Sequence, residues 1–275
     1  MKNIPFSKMS GTGNDFIIID NRQRLVEDDG LTQFIRNVCR RKMSVGADGL
    51  ILIESSKKAD FRWRFFNSDG SLAEMCGNGA RCAARFAYLN GIAAENLFFE
   101  TEAGIINGEV KDGGAKVKIP DPVDLRLDYR VDLENGPLTV SSVNTGVPHV
   151  VVMMDSVAEA DVFGLGREIR YHEAFAPAGT NVNFICQQKP GQLAIRTYER
   201  GVEDETLACG TGSIASALVA ACQTNWASPI SLATRSGESL TIYFRESNHV
   251  FTDVYLEGDA RLIYTAELEE DAWRS

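Results

Sequence analysis

Histidine is scarce in this chain, with three copies in 275 residues (149, 172 and 249), and none of the cysteines stands in CxxC spacing. With no HExxH either, a zinc site has little to draw on, and no metal is expected. Positive charge is the next shortage. Lys and Arg number 28 against 38 Asp and Glu, a net charge of −10, and such a field repels phosphate backbones, so nucleic acid is not an expected partner. Long apolar runs are missing as well: Val150 to Met154, and Ile214 to Cys222 broken by Ser216, fall far short of the ~20 residues that cross a bilayer. The opening Met1-Lys2-Asn3-Ile4-Pro5 has no apolar stretch and no small-residue cleavage site, so a cytoplasmic protein with no membrane attachment is expected. Hydrophobic residues at 44% and charged residues at 24% are ordinary globular values that exclude disorder, collagen and coiled coil. At about 150 residues per domain the length suggests two domains. Six cysteines (39, 76, 82, 186, 209 and 222) are even in number, yet a chain this rich in core residues does not need a disulfide framework, so thiols are expected.

What is present is a repeat. Ser10 to Asp20 resembles Thr145 to Asp155 at an offset of 135, and Val45 to Ile53 resembles Ala178 to Cys186 at 133. Arg64-Phe-Phe-Asn67 lies over Arg196-Thr-Tyr-Glu199 at 132, Cys76-Gly-Asn-Gly-Ala-Arg over Cys209-Gly-Thr-Gly-Ser-Ile at 133, and Gly104 over Gly237 at 133. Coincidental glycine turns would not keep one order and nearly one offset over more than ninety residues. Two homologous halves, roughly 8 to 120 and 143 to 260, joined near Pro120-Asp-Pro122, account for the pattern. Each half carries six short β-rich runs: Phe16–Ile19, Leu50–Ile53, Phe61–Phe66, Leu97–Thr101, Ile105–Val110 and Val117–Ile119, then Val150–Met154, Val182–Ile185, Leu193–Tyr198, Ile230–Thr234, Ser239–Phe244 and Val254–Glu257. One helical pattern interrupts each set, Gly79 to Leu89 with Gly91 as its stop signal, and Thr211 to Gln223. Helices apolar almost all round are buried, so the expected fold is mixed α/β (α+β): two duplicated domains, each a barrel-like, mostly antiparallel sheet around a central helix.

Cys76 and Cys209 occupy one position, directly before a buried helix and followed by Gly-X-Gly. A helix start presents unpaired N–H groups and partial positive charge, which favour an anion and a thiolate. The glycines at 77, 79, 210 and 212 admit a ligand close to the backbone, and a carboxylate is the natural ligand. If the halves face one another, the two thiols confront one carbon. One then removes a proton while the other delivers one to the opposite face, inverting the centre. Cys39, Cys82, Cys186 and Cys222 lie in apolar segments, do not match between halves, and read as small buried hydrophobes.

These residues bring a resemblance. Gly11-Thr-Gly-Asn-Asp-Phe16, Phe66-Asn-Ser-Asp-Gly70, Met75-Cys-Gly-Asn-Gly-Ala-Arg-Cys82, Gly146-Val-Pro-His149, Tyr198-Glu-Arg-Gly201 and Ala208-Cys-Gly-Thr-Gly212 resemble the diaminopimelate epimerases over nearly the whole chain. The resemblance implies cofactor-independent interconversion of LL- and meso-diaminopimelate, for lysine and peptidoglycan precursors, by a homodimer. It implies domains of 1–120 plus 263–275 and of 121–262. It makes Cys76 and Cys209 the acid/base pair, and Gly77, Asn78, Gly210 and Thr211 the helix-start groups that hold the reacting carboxylate. Asn14, Asn67, Asn181, Glu199 and Arg200 become substrate contacts, and His149 and Glu199 the groups that tune the thiols. From the residues alone, Asn14 and Asn67 read as turn formers, His149 as a strand-end histidine and Arg200 as a surface charge.

Two positions depart from the family pattern: Val147 stands where Asn is common before Pro-His, and Gly49 where some members carry Gln. Both remove polar groups from the distal end of the expected site. Alternatives therefore stay open: epimerisation of another amino acid, proline-like or glutamate, or a non-catalytic carboxylate-binding module. A protease-type thiol fits less well, since neither half supplies a Cys-His-Asn set.

Overall fold

The computed structural model describes residues 3–73 and 75–274. The chain divides into two compact units, Met1–Val117 with Gly258–Ser275, and Lys118–Glu257. The first half runs β1 (Ile4–Gly11), β2 (Asn14–Asp20), α1 (Leu31–Cys39), β3 (Gly49–Glu54), β4 (Phe61–Asn67), β5 (Leu72–Ala73), α2 (Gly77–Leu89), β6 (Asn96–Thr101), β7 (Gly104–Lys111) and β8 (Gly114–Lys118). The second runs β9 (Val123–Leu133), β10 (Gly136–Asn144), β11 (Pro148–Met153), α3 (Gly164–Tyr171), β12 (Asn181–Lys189), β13 (Gln192–Glu199), β14 (Asp204–Thr206), α4 (Gly210–Thr224), β15 (Ile230–Ala233), β16 (Ser239–Ser247) and β17 (Val250–Asp259). A last strand, β18 (Arg261–Leu268), belongs to the first unit.

Strand pairing repeats element for element. In the first unit β18–β1 and β1–β2 are antiparallel, β2–β3 parallel, β3–β4 and β4–β5 antiparallel, β4–β6 parallel, and β6–β7 and β7–β8 antiparallel. The second unit repeats that series as β9–β10, β10–β11, β11–β12, β12–β13, β13–β14, β13–β15, β15–β16 and β16–β17. The fold is thus a mixed α/β duplication dominated by strands, and β18 does for the first unit what β9 does for the second. Among the described residues no helix is long and apolar enough to cross a membrane.

Each sheet curls about one helix. α2 touches β1, β2, β3 and β7, strands from both ends of its ladder, and α4 touches β10 to β13, β15 and β16. The reason lies in side-chain size. Ala80, Ala83, Ala84 and Ala87 of α2 are fully enclosed, as are Ala215, Ala217 and Ala220 of α4, and small side chains let strands approach the helix axis from several directions. A Cβ on Gly79 would already press on Trp63 and Ile51, at 3.3 and 3.4 Å. The second helix of each unit covers the outer face: Ile17, Ile19, Leu50 and Leu52 pack with Leu31, Ile35 and Val38 of α1, and Val150, Val152, Val182 and Phe184 with Ile169 of α3. Strands covered on both faces lose the period of two, which is why Phe16–Ile19 and Leu50–Ile53 are unbroken apolar runs.

Eight elements lie outside the runs that periodicity picks out: β1, β5, β9, β10, β14, β18, α1 and α3. α1 follows Gly30 with no capping side chain and no acidic first turn, so it carries no start signal, whereas Asp161 Oδ1 accepts Gly164 N at 2.8 Å ahead of α3, a cap that apolar periodicity does not register. β9 does carry a signal: its strict alternation from Val123 to Leu133 leads through Glu134-Asn135 into Gly136, a two-residue hairpin.

Candidate active site

Cys76 and Cys209 are the N-cap residues of α2 and α4, in nearly the same extended conformation (φ −147°, ψ 115° and φ −121°, ψ 113°). In each, Sγ accepts the backbone N–H three residues on: Gly79 at 3.5 Å for Cys76, Gly212 at 3.4 Å for Cys209. Backbone donors and the helix-start dipole both stabilise negative charge at that sulfur. The contrast with other thiols is chemical: burial pushes Cys39 and Cys82 up to about 12 and Cys222 up to about 11, which keeps them protonated.

In the first unit the structure brings Asn14, Cys76, Gly77 and Asn78 together. Asn14 Oδ1 accepts from Cys76 Sγ at 3.7 Å and from Asn78 Nδ2 at 3.5 Å. Its own amide donates to Asp48 Oδ2 at 2.5 Å, and Arg41 bridges Asp48 and Asp15. Burial raises the Asp15 carboxyl, but Arg41 and Lys8 offset this and hold it below the usual range. Asn14 is thus fixed by a charged network and is more than a turn residue. Asn67 stands apart from this group: it is exposed, its amide donates to Ser71 Oγ at 3.0 Å, and it pairs with Gly49 across β3–β4. Gly49 has a packing reason, since a Cβ there would sit 2.5 Å from Phe66 O and 2.6 Å from the Phe65 ring.

Two residues that motif reading passes over support this site. Arg81 is fully buried in α2, where Nη2 donates to Thr12 Oγ1 (2.8 Å) and Asn78 Oδ1 (3.0 Å), Nη1 to Gly77 O (3.3 Å) and Nε to Asp259 O (3.2 Å). Asp259 Oδ1 in turn accepts from Thr12 N and Oγ1. Burial lowers the Arg81 guanidinium, while Cys82, Asp259 and Cys76 act the other way. A cation is therefore buried behind the helix start that carries Cys76; the matching position in α4 is the apolar Ile214.

In the second unit His149, Asn181, Arg200 and the α4 start are linked. Asn181 Nδ2 donates to Pro148 O at 3.0 Å, and its Oδ1 accepts Arg200 N at 2.9 Å. The Arg200 guanidinium donates to Ala178 O. Thr145 Oγ1 donates to Thr211 O at 3.0 Å, tying the turn before β11 to α4, and Cys209 Sγ lies 3.5 Å from Thr211 Oγ1. Glu199 ends β13, part-buried beside Arg200. Asn183, the second residue missed by sequence reasoning, is enclosed completely and contacts His149. Its nearest sequence signal is the Asn-X-Asn of 181–183, which periodicity absorbs into a strand. Among the described residues no group of three or more His, Cys, Asp and Glu could hold a metal ion.

Burial, with Arg200 adding to it, pushes His149 down to about 3. An unfolded chain takes up a proton at this histidine near pH 6.5 whereas the folded chain does not. The stabilisation is therefore complete above pH 6.5 and is lost progressively as pH falls from there towards 3. Urea titrations at pH 7 and 4.5 should show the chain losing about 3 kcal/mol more than His149→Gln over that interval; equal losses would mean that the ring is not held neutral.

The chain matches the family described as diaminopimelate epimerase over residues 6–123 and 141–263. It is 45% identical to the diaminopimelate epimerase of Aquifex aeolicus over 276 aligned positions, covering 97% of this chain and 98% of the relative. Among solved structures it is similar to a phenazine biosynthesis protein of the PhzF family from Bacillus anthracis (TM-score 0.76, 16% identity, 98% of this chain and 100% of the other). It is also similar to a hydroxyproline epimerase from Agrobacterium vitis with bound trans-4-hydroxy-L-proline (TM-score 0.72, 13% identity, 98% and 93%). At such identities the last two establish the shared fold alone.

Proposed function

Because the chain belongs to the diaminopimelate epimerase family, we propose that it interconverts LL- and meso-diaminopimelate, with Cys76 and Cys209 as the two proton-transfer groups. The observation that carries this reading is the duplicated N-cap: two thiols, each receiving a helix-start N–H, in one backbone conformation on both copies of the repeat. In the reaction the α-C–H bond breaks as one thiolate takes the proton. The S–H bond of the other thiol then breaks as its proton forms the new C–H bond on the opposite face. Thiol and thiolate have exchanged places, and no electron is gained or lost, so no redox group is required. Charge that develops on the carboxylate as the α-carbon loses its proton meets the amides at Gly77–Asn78 and Gly210–Thr211.

Asn14, Asn67, Asn181, Glu199 and Arg200 are the proposed substrate contacts, those to its distal amino-acid end included, and His149 and Glu199 the neighbours that tune the thiols. Arg200 suits a carboxylate because its guanidinium can donate two parallel hydrogen bonds. A homodimer in the cytoplasm is part of the same proposal, and sedimentation velocity checks its assembly state.

The decisive experiment is incubation in deuterated water with LL-diaminopimelate, proline and glutamate separately, following α-deuterium by NMR. Deuterium entering diaminopimelate together with formation of the meso isomer, and neither change with proline or glutamate, is the expected result. Exchange into proline or glutamate alone would overturn the substrate, and binding without exchange would reduce the protein to a carboxylate-binding module.

A further inference from the structure

We propose that Asn183 is a positioning residue that fixes His149 as its Nε2–H tautomer, so that His149 serves the reaction as a hydrogen-bond donor and not as a proton-exchanging base. The functional half of this inference rests on the two-thiol reading above; the tautomer itself does not.

The backbone carbonyl oxygen of Val150 can only accept. Asn183 lies 3.0 Å from it, so the atom facing it is Nδ2 and the orientation of the amide is decided. Oδ1 then faces Thr197 Oγ1, which donates to it at 3.0 Å. The same Nδ2 lies 3.2 Å from His149 Nδ1. With its hydrogens pointing there, Nδ1 must offer a lone pair, and a neutral imidazole with a lone pair on Nδ1 carries its proton on Nε2. Burial of the ring, 1% exposed, and the nearby Arg200 charge disfavour a second proton. The Nε2–H is buried and meets no acceptor among the described residues. A donor in that state is suited to an anionic oxygen or sulfur brought in with the substrate or generated during the reaction.

The pair is held against the catalytic turn. β11 and β12, which carry His149 and Asn183, both pack on α4. A Cβ on Gly212 would run into Asn183 Oδ1 while lying 3.3 Å from Cys209 Sγ, so the glycine at 212 is what allows the Asn183 amide to reach the α4 start. Arg200, just past β13, is the charge that acts on the ring; the elements packed on β11 and β12 also carry Arg196, Tyr198 and Glu199 (β13), Cys222 (α4) and Arg167, Glu168, Arg170 and Tyr171 (α3), with Cys209 capping α4.

The test uses the full chain labelled with 15N-histidine, with His149→Gln to assign the signal among the three histidines. Long-range 1H–15N correlation should show His149 with a protonated Nε2 and a bare Nδ1, unchanged from pH 5 to 9. A protonated Nδ1, or titration near pH 6 to 7, overturns the proposal. Asn183→Asp replaces the donor with an acceptor, and should move the proton to Nδ1 or charge the ring, lower kcat/KM at least tenfold and shift its acid limb. If that variant does not fold, Asn183→Ser, which keeps a small polar group, should show mixed tautomers. An unaltered Nε2–H signal and unaltered pH profile in either folded variant would show that Asn183 does not set the proton. Because the spectra need no substrate, a protein lacking epimerase activity would sink the proposed reaction while leaving the tautomer decided.

Discussion

Cys209→Ala and Cys76→Ala should each lower kcat by about 10³-fold, within the 10² to 10⁴ range that positioned proton transfer contributes. In the proposed two-thiol reaction each turnover would use both sulfurs, so neither thiol could substitute for the other. The two variants differ from an unfolded protein in a way that can be measured. Loss of one thiol leaves the other able to remove and return a proton on its own face, so each variant should exchange deuterium into at most one stereoisomer without inverting it. Serine separates chemistry from structure. Ser is a good N-cap, and in Cys76→Ser the hydroxyl can accept the Gly79 N–H that Sγ now accepts, but an alcohol is a far weaker acid than a thiol. Cys76→Ser and Cys209→Ser should thus keep thermal stability near that of the parent and still lose turnover. Polarimetry and proton NMR on the four variants decide the matter: normal turnover in any of them refutes the acid/base pairing.

The second large effect is expected at Arg81. Arg81→Met keeps the length of the side chain but removes the guanidinium, so Asn78 Oδ1, Gly77 O and Asp259 O lose its hydrogen bonds and Asp259 its buried cation. Breaking one side of such an enclosed network costs about 3 to 5 kcal/mol. Hydrogen exchange should rise across α2 and the turn at Thr12, and kcat/KM should fall as Asn78 loses its anchor. Arg81→Lys retains the charge but not the forked geometry and should recover only part of the stability. A change below about 1 kcal/mol in Arg81→Met, measured by urea unfolding, would show that the network is dispensable.

Both predictions trace to features of different visibility. The paired cysteines can be read directly, because two copies of Cys-Gly-X-Gly ahead of an apolar, alanine-rich segment need only local pattern and an offset. α2 and α4 are similarly plain: their observed limits, Gly77–Leu89 and Gly210–Thr224, lie within two residues of the periodic pattern at each end. Arg81 and Asn183 are not readable in that way. An arginine four residues into a helix has the pattern of a solvated side chain, and only the return of Asp259, on a strand entering the first unit from the far end of the chain, encloses it. Asn183 alternates with Val182 and Phe184 as any strand residue does; its amide acquires a task only because parallel pairing sets β11 beside β12.

The same division runs through the architecture. Periodicity and repetition alone determined that the chain is a duplicated α/β protein, where its two central helices lie, and which two thiols share a local environment, because those features depend on neighbours within a turn or two of the chain. Tertiary structure decided the rest: that β18 completes the first sheet as β9 completes the second, that Gly49 has no space for a side chain, and which buried polar groups support Cys76 and His149. Those outcomes come from contacts between segments far apart in sequence, where hydrogen-bond satisfaction in a dry interior selects partners that no local pattern names.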